Sequence, residues 1–219
     1  MSKLTQELTS FFNKIPQITP AQSITIEEGG NNAGLNKLNL SSIYYQLENL
    51  PKERLCEALW EGKRTQDYNC DGVILITDPK NNSQLLLIEL KSKLLEAQFT
   101  KALAQIVISF LKIHTHFSLC ASYEELLRLP VKAIICASNT MDWSDWIERK
   151  STELDGKLSK EYKVYRSLLS GRTKTIPLKE VLKNVSWAQG WCIPQNLLDI
   201  KLELQILCSE GSPILPHTL

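Results

Sequence analysis

The chain has 219 residues, 43% of them hydrophobic and 22% charged, with a formal net charge of +1. That is the mix of an ordinary globular protein able to bury its own core, and it excludes disordered, collagen-like and low-complexity classes. The near-zero charge neither demands nor forbids a nucleic-acid partner, because local lysines and bound cations can serve a chain with no overall positive excess. No apolar run approaches the roughly 18 residues of a membrane span, and MSKLTQELTSFFNKIPQ lacks an apolar signal-peptide core. A cytoplasmic protein with no membrane partner is expected. The six cysteines, at 56, 70, 120, 136, 192 and 208, include no Cys-x-x-Cys, and only three histidines accompany them. They predict reduced, buried thiols and no structural zinc.

Leu4 to Lys14 reads as a short helix ended by Pro16 and Pro20. Ser23 to Glu27 reads as a short strand, and Gly29 to Gly34 as a flexible loop that lacks the lysine-serine ending of a phosphate-binding P-loop. Ser41 to Gly62 reads as helical with an interruption near Pro51, its core side formed by Ile43, Leu47, Leu50, Leu55, Ala58 and Leu59. From Cys70 the pattern turns extended. Val73 to Ile76 is apolar and mostly β-branched, Asp78 to Ser83 is dense in turn formers, and Gln84 to Lys91 is a second strand, so the pair predicts an antiparallel hairpin.

Leu94 to His114 is the clearest helix, with Gln98, Lys101, Gln105 and Lys112 along one side and a wide apolar surface on the others. Val131 to Ala137 reads as a buried strand. Trp143 to Leu169 is helical with a break at Asp155-Gly156, Thr173 to Pro177 extended and Leu178 to Lys183 helical. Ile200 to Leu207 alternates as a half-buried strand whose apolar character can offer an exposed edge. The tail, with Pro213 and Pro216, reads as irregular. Trp143, Trp146, Trp187 and Trp191 read mainly as packing residues, and His114 and His116 as helix-end residues favoured by the dipole rather than as catalytic bases.

The chemistry lies between Asp71 and Lys91. In a strand, alternate side chains share a face, so Glu89 and Lys91 point one way with Leu85 and Leu87, while Leu86, Ile88 and Leu90 point the other. Two charges thus end an otherwise apolar stripe, an unusual choice for a purely structural strand. With a loop over Thr77 to Ser83, Ile76 opposes Gln84 and the same register brings Asp71 opposite Glu89; a loop one residue shorter would shift it. Two facing carboxylates need a cation between them. Asp71, Glu89 and the Leu90 carbonyl are hard oxygen donors suited to Mg²⁺, with Mn²⁺ as substitute, and Lys91 can orient water or stabilise charge on phosphorus.

Asp71-Gly72, the apolar strand, the turn and Leu87-Ile88-Glu89-Leu90-Lys91 resemble the PD-(D/E)XK nuclease superfamily, the restriction-endonuclease-like fold, over residues 40 to 138. The resemblance implies Asp71 as first metal ligand, Glu89 as second acid and Lys91 as catalytic lysine, with Gln105 on the following helix facing the site. No Pro precedes Asp71, and no strand is evident between Gly62 and Cys70. An upstream acid is open among Glu48, Glu53 and Glu57. Lys93 and Lys101 flank the proposed site and can contact phosphate.

The expected fold is therefore α/β, a central mixed β-sheet flanked by helices with a restriction-endonuclease-like core. Residues 1–39 form an N-terminal helix and flexible loop, 40–140 the core, and 141–219 a C-terminal helical segment and strand packed on it. The expected function is a Mg²⁺-dependent nuclease acting on nucleic acid, with DNA favoured over RNA by the resemblance. Restriction, repair or defence is implied as its setting, in a homodimer or larger complex. A non-catalytic binding subunit that keeps the fold and a small α/β interaction protein are the other readings.

Overall fold

The computed structural model describes residues 7, 22–28, 35, 37–43, 46–50, 69–118, 120–153, 160–183 and 192–219. In chain order its elements are β1 (Ser23–Glu27), β2 (Lys37–Ser41), β3 (Gln46–Leu50), β4 (Gly72–Thr77), β5 (Ser83–Lys91), α1 (Glu96–Phe117), α2 (Tyr123–Arg128) and β6 (Val131–Ala137). There follow α3 (Met141–Glu153), α4 (Lys160–Leu169), β7 (Lys174–Pro177), α5 (Leu178–Leu182), α6 (Gln195–Leu198), β8 (Lys201–Cys208) and β9 (Ile214–Thr218).

Six strands form one mixed sheet in the order β3-β4-β5-β6-β8-β7. The first three run as an antiparallel meander, β5, β6 and β8 are parallel, and β7 returns antiparallel. A parallel neighbour cannot be reached by a tight turn, and α1 with α2 makes the crossover from β5 to β6. The meander's second turn follows from its residues. Asp78 Oδ1 accepts the backbone N–H of Lys80 and of Asn82, each at 2.8 Å. Asn81 takes the left-handed conformation (φ 64°) that asparagine tolerates better than most residues. Thr77 therefore pairs with Ser83 and Ile76 with Gln84, the expected register.

Both faces of the sheet are covered. Val73, Leu75, Leu85, Leu87, Val131, Ala133, Ile135, Leu202 and Leu204 face the helices, where Phe99, Ile106, Phe110 and Trp143 complete the larger core. On the other face Ile74, Ile76, Leu86, Ile88, Leu90 and Ile134 meet a three-stranded sheet, β1-β2-β9, through Ile26, Leu38 and Leu40. Each such side chain, fully buried, contributes about 1.5–3 kcal/mol. Among the described residues the layers are helices, six-stranded sheet, three-stranded sheet.

Three expectations are corrected. Gln46–Leu50, read as helix, is the strand β3. A strand buried on both faces needs hydrogen-bond partners along both edges; β4 is such a strand, and this segment supplies its outer partner. Leu47 is buried, but Ile43 is 73% exposed and forms no part of a core stripe. The tail is ordered as β9, parallel to β2, and Pro216 is tolerated because β9 has β2 as its one neighbour and lies at an edge. β8 offers no edge, since it lies between β6 and β7.

The β2 strand spans 37–41, so residues before and after position 40 share one element. The Leu4–Lys14 helix apart from Glu7, the Gly29–Gly34 loop, the whole 51–62 stretch with Glu53, Leu55, Glu57, Ala58 and Leu59, the Asp155-Gly156 break, Trp187 and Trp191 lie outside the described residues. Among the described residues five cysteines are free, and of these Cys70 and Cys136 are buried while Cys192 and Cys208 are exposed. Among the described residues no helix is long and apolar enough to cross a membrane.

Candidate active site

The pleat of β5 determines which charges meet. Leu85 and Leu87 lie in the helix-side core and Leu86, Ile88 and Leu90 in the opposite one, so Glu89 and Lys91 come out on the helix side. Glu89 is buried, with 1% of its side chain exposed, and Lys91 keeps 13%. Lys91 Nζ donates to Glu89 Oε1. It also donates to Gln105 Oε1 on α1 at 3.0 Å. Glu89 Oε2 is buried with no hydrogen-bond partner.

Asp71 stands just before β4. The Leu85 N–H and the Lys91 carbonyl both bond on the β6 side, to Pro130 and Ser138. By strand alternation the N–H and C=O of Leu90 point to the β4 side. There β4 has ended, and Asp71 Oδ2 accepts the Leu90 N–H at 2.7 Å. The Leu90 carbonyl is thus directed toward the same flank as Asp71.

The turn-away at Asp71 is held by the polar side of α1. Gln105 Nε2 donates to the Asn69 carbonyl at 3.0 Å and Lys112 Nζ to Asn69 Oδ1 at 2.7 Å. Ser109 Oγ accepts the Cys70 N–H at 2.8 Å. Gln105, Ser109 and Lys112 are all buried. Gln105 and Lys112 turn inward because the strand entry 69–71 brings polar groups that need partners, while Lys101 on the same helix stays exposed. The Cys70 thiol is pushed up to about 12, chiefly by burial, which leaves it an inert packing group.

The carboxylates feel one another. Burial raises the Glu89 carboxyl most, to about 8, and Asp71 adds to the rise; Lys91 opposes it, and Glu28 contributes a smaller push upward. Glu28, one residue past β1, is itself raised by burial and then by Asp71, against Lys91 and Lys101. Glu28 is the residue the sequence reading missed. Its only signal is its place at the end of an amphipathic strand, and nothing in sequence spacing links that strand to β4.

Of the flanking lysines, Lys101 is exposed and acts on Glu28. Lys93 pairs at 2.8 Å with Asp142, both largely exposed. Glu48 lies in β3 with its backbone paired to Leu75. Gln98 leaves Oε1 buried without a partner. His114 lies in the last turn of α1, as expected, but not as a charge favoured by the dipole. It is 1% exposed, its ring 4.3 Å from that of Phe110 and 5.7 Å from that of Tyr123. Burial lowers it to about 4, because desolvation outweighs a dipole effect of about 0.3–1 kcal/mol at a helix end. Trp143 is buried in an aromatic cluster with Phe99 and Tyr165, as a packing residue.

Among the described residues no three His, Cys, Asp or Glu side chains are gathered as a ready metal cage. The donors nonetheless fit a hard, hydrated cation. Mg²⁺ uses one or two carboxylates and keeps several waters, and the orphaned Glu89 Oε2 beside Asp71 is an acceptor with no proton donor to satisfy it. No protein-family model, curated protein or solved structure matches this chain.

Proposed function

We propose that the protein is a metal-dependent nuclease that hydrolyses phosphodiester bonds, with its centre at Asp71, Glu89, Lys91 and Gln105. One observation carries the reading. A buried carboxylate, half-satisfied by a lysine, sits beside a second carboxylate at the end of an apolar strand. As a structural device this costs stability, since burying charge with incomplete partners is unfavourable. As a site for a divalent cation and a phosphate it is consistent. The order of meander, crossover helix and parallel strand supports the resemblance to the PD-(D/E)XK core.

Asp71, Glu89 and the Leu90 carbonyl would hold Mg²⁺ or Mn²⁺, which supplies Lewis-acid charge and a more acidic bound water. Lys91, fixed between Glu89 and Gln105, places a positive charge where negative charge grows on the phosphoryl oxygens. Gln105 orients Lys91 and, through Asn69, ties it to the segment that carries Asp71. Lys101 and Lys93 reach the substrate backbone. Lys93 can exchange its exposed Asp142 partner for phosphate, as such pairs are worth about 0–1 kcal/mol. DNA is favoured over RNA by the resemblance.

The test is incubation of purified protein with labelled single- and double-stranded DNA and RNA, with Mg²⁺, Mn²⁺ or chelator. Metal-dependent cleavage of one class is the expected result and names the substrate. Binding without cleavage under every condition would replace the reading with that of a non-catalytic subunit.

A further inference from the structure

β7 bounds one side of the six-stranded sheet and has β8 as its one neighbour there. The two are antiparallel, with Lys174 opposite Leu204 and Ile176 opposite Leu202, and the Leu178 N–H donates to the Ile200 carbonyl at 2.8 Å. Hydrogen-bonded pairs alternate along an antiparallel ladder, so Lys174, Ile176 and Leu178 direct their backbone groups to β8. The N–H and C=O of Thr175 and the C=O of Pro177 therefore point outward, and Thr175 is exposed. Such an edge is a template for one more strand. Pro177, which has no N–H, shortens it without closing it.

A cavity of about 460 Å³ adjoins this edge. Thr175, Ile176 and Pro177 form its strand side, and Phe99, Leu103 and Val181 its apolar wall. The volume is in the range of sites that hold a small apolar group. Ile176 packs on the helix-side core, so a residue opposite it on an added strand turns its side chain to that same face, where the cavity lies. Charge flanks the opening. Lys183 is paired with Glu180 at 2.9 Å and Lys179 with Asp199 at 3.3 Å. Arg172 and Lys174 enter no ion pair among the described residues. Lys174 shares the face of Ile176 by strand alternation, and it opposes the residue two places beyond the one at the cavity.

We propose that β7 takes an extended segment of a partner protein as an added antiparallel strand. The segment carries a large apolar residue for the cavity, followed two places on by Asp or Glu opposite Lys174, with a further acid for Arg172. Backbone bonds to Thr175 and Pro177 hold the segment, and the cavity and the two cations give it its sequence preference. This role goes beyond the Asp71, Glu89 and Lys91 cluster and does not depend on the nuclease reading.

Panning a displayed library of short random peptides on the full chain decides it, beside Thr175→Pro and Lys174→Glu proteins checked by circular dichroism. Wild type is expected to enrich peptides with an apolar residue followed two places on by an acid. A labelled peptide of the enriched sequence should bind Lys174→Glu about fivefold more weakly, the scale of one cross-strand charge pair. The same peptide with its acid changed to Lys should prefer Lys174→Glu over wild type. Thr175→Pro, which removes the outward N–H, is expected to weaken binding about tenfold; if that variant does not fold, the charge swap decides alone. No enrichment, or enriched peptides without the pattern, overturns the proposal. Equal binding by wild type and the folded variants places the peptide on another surface and overturns it too. Sedimentation that shows dimers of wild type, lost in Lys174→Glu, makes the occupant a second copy and overturns the assignment to a partner.

Discussion

Glu89 combines burial with an unfinished set of partners, the two properties on which the proposed cation site rests. Its folded value of about 8 lies above the unfolded value of 4.5. Between these limits the folded chain binds more protons than the unfolded one. The associated stability is fully present below 4.5 and is lost as pH rises through about 8. In chelator, the thermal midpoint of wild type should therefore fall from pH 5 to about pH 8, and Glu89→Gln should remove that slope and lie above wild type at the alkaline end. Added Mg²⁺ should stabilise wild type more at the alkaline end, because the cation then displaces no proton. A flat wild-type profile in chelator would show that Glu89 is not buried as described. The alternation of Leu85, Leu87, Glu89 and Lys91 already marks these two charges in the sequence, since strand geometry alone puts them on one face. The environment of Glu28 is not legible in the same way, because it arises from a strand crossing between two sheets.

At the scale of elements, the β4–β5 hairpin was legible because the turn chemistry of Asp78 to Asn82 and the run of apolar strand residues agree. The region around β3 was not. Ile43, Leu47 and Leu50 recur at spacings of four and three, which suit a helix, yet the segment pairs with β4. A tertiary demand, the open edge of a buried strand, outweighs a local pattern there. β9 was hidden by its prolines, which forbid a central strand and permit an edge. The close crossing at Gly72 makes its own prediction. Gly72→Ala places a methyl group 2.9 Å from Ile26 Cδ1 and should cost about 1–3 kcal/mol, the usual penalty for overpacking. Denaturant unfolding measures it, and pairing the change with Ile26→Val should recover part of the loss. Additive losses in the double variant would contradict the contact.

For the whole molecule, the six-stranded sheet is the rigid layer, and the candidate site lies where the start of β4 and the end of β5 meet the middle of α1 at Gln105. β4, β5 and β6 are buried on both faces, whereas β7 is an edge strand with partly exposed residues. Native-state hydrogen exchange should find the slowest amides in β4, β5 and β6 and faster ones in β7 and β1. Fast exchange in β5 would mean that Glu89 and Lys91 are not held on a rigid element. The α/β class was legible from patterning, whereas the placement of Gln105 toward Lys91 was implied by the family resemblance. The second sheet was not, because it joins β1, β2 and β9 from opposite ends of the chain.

The most direct measurement is the single-turnover cleavage rate of a labelled nucleic acid with Mg²⁺, for wild type, Asp71→Asn, Glu89→Gln and Lys91→Ala, all confirmed as folded. Each substitution is expected to lower the rate by about 10²-fold or more, the scale on which a preorganised electrostatic group acts. Cleavage that persists unchanged in all three would place the chemistry elsewhere and contradict the account.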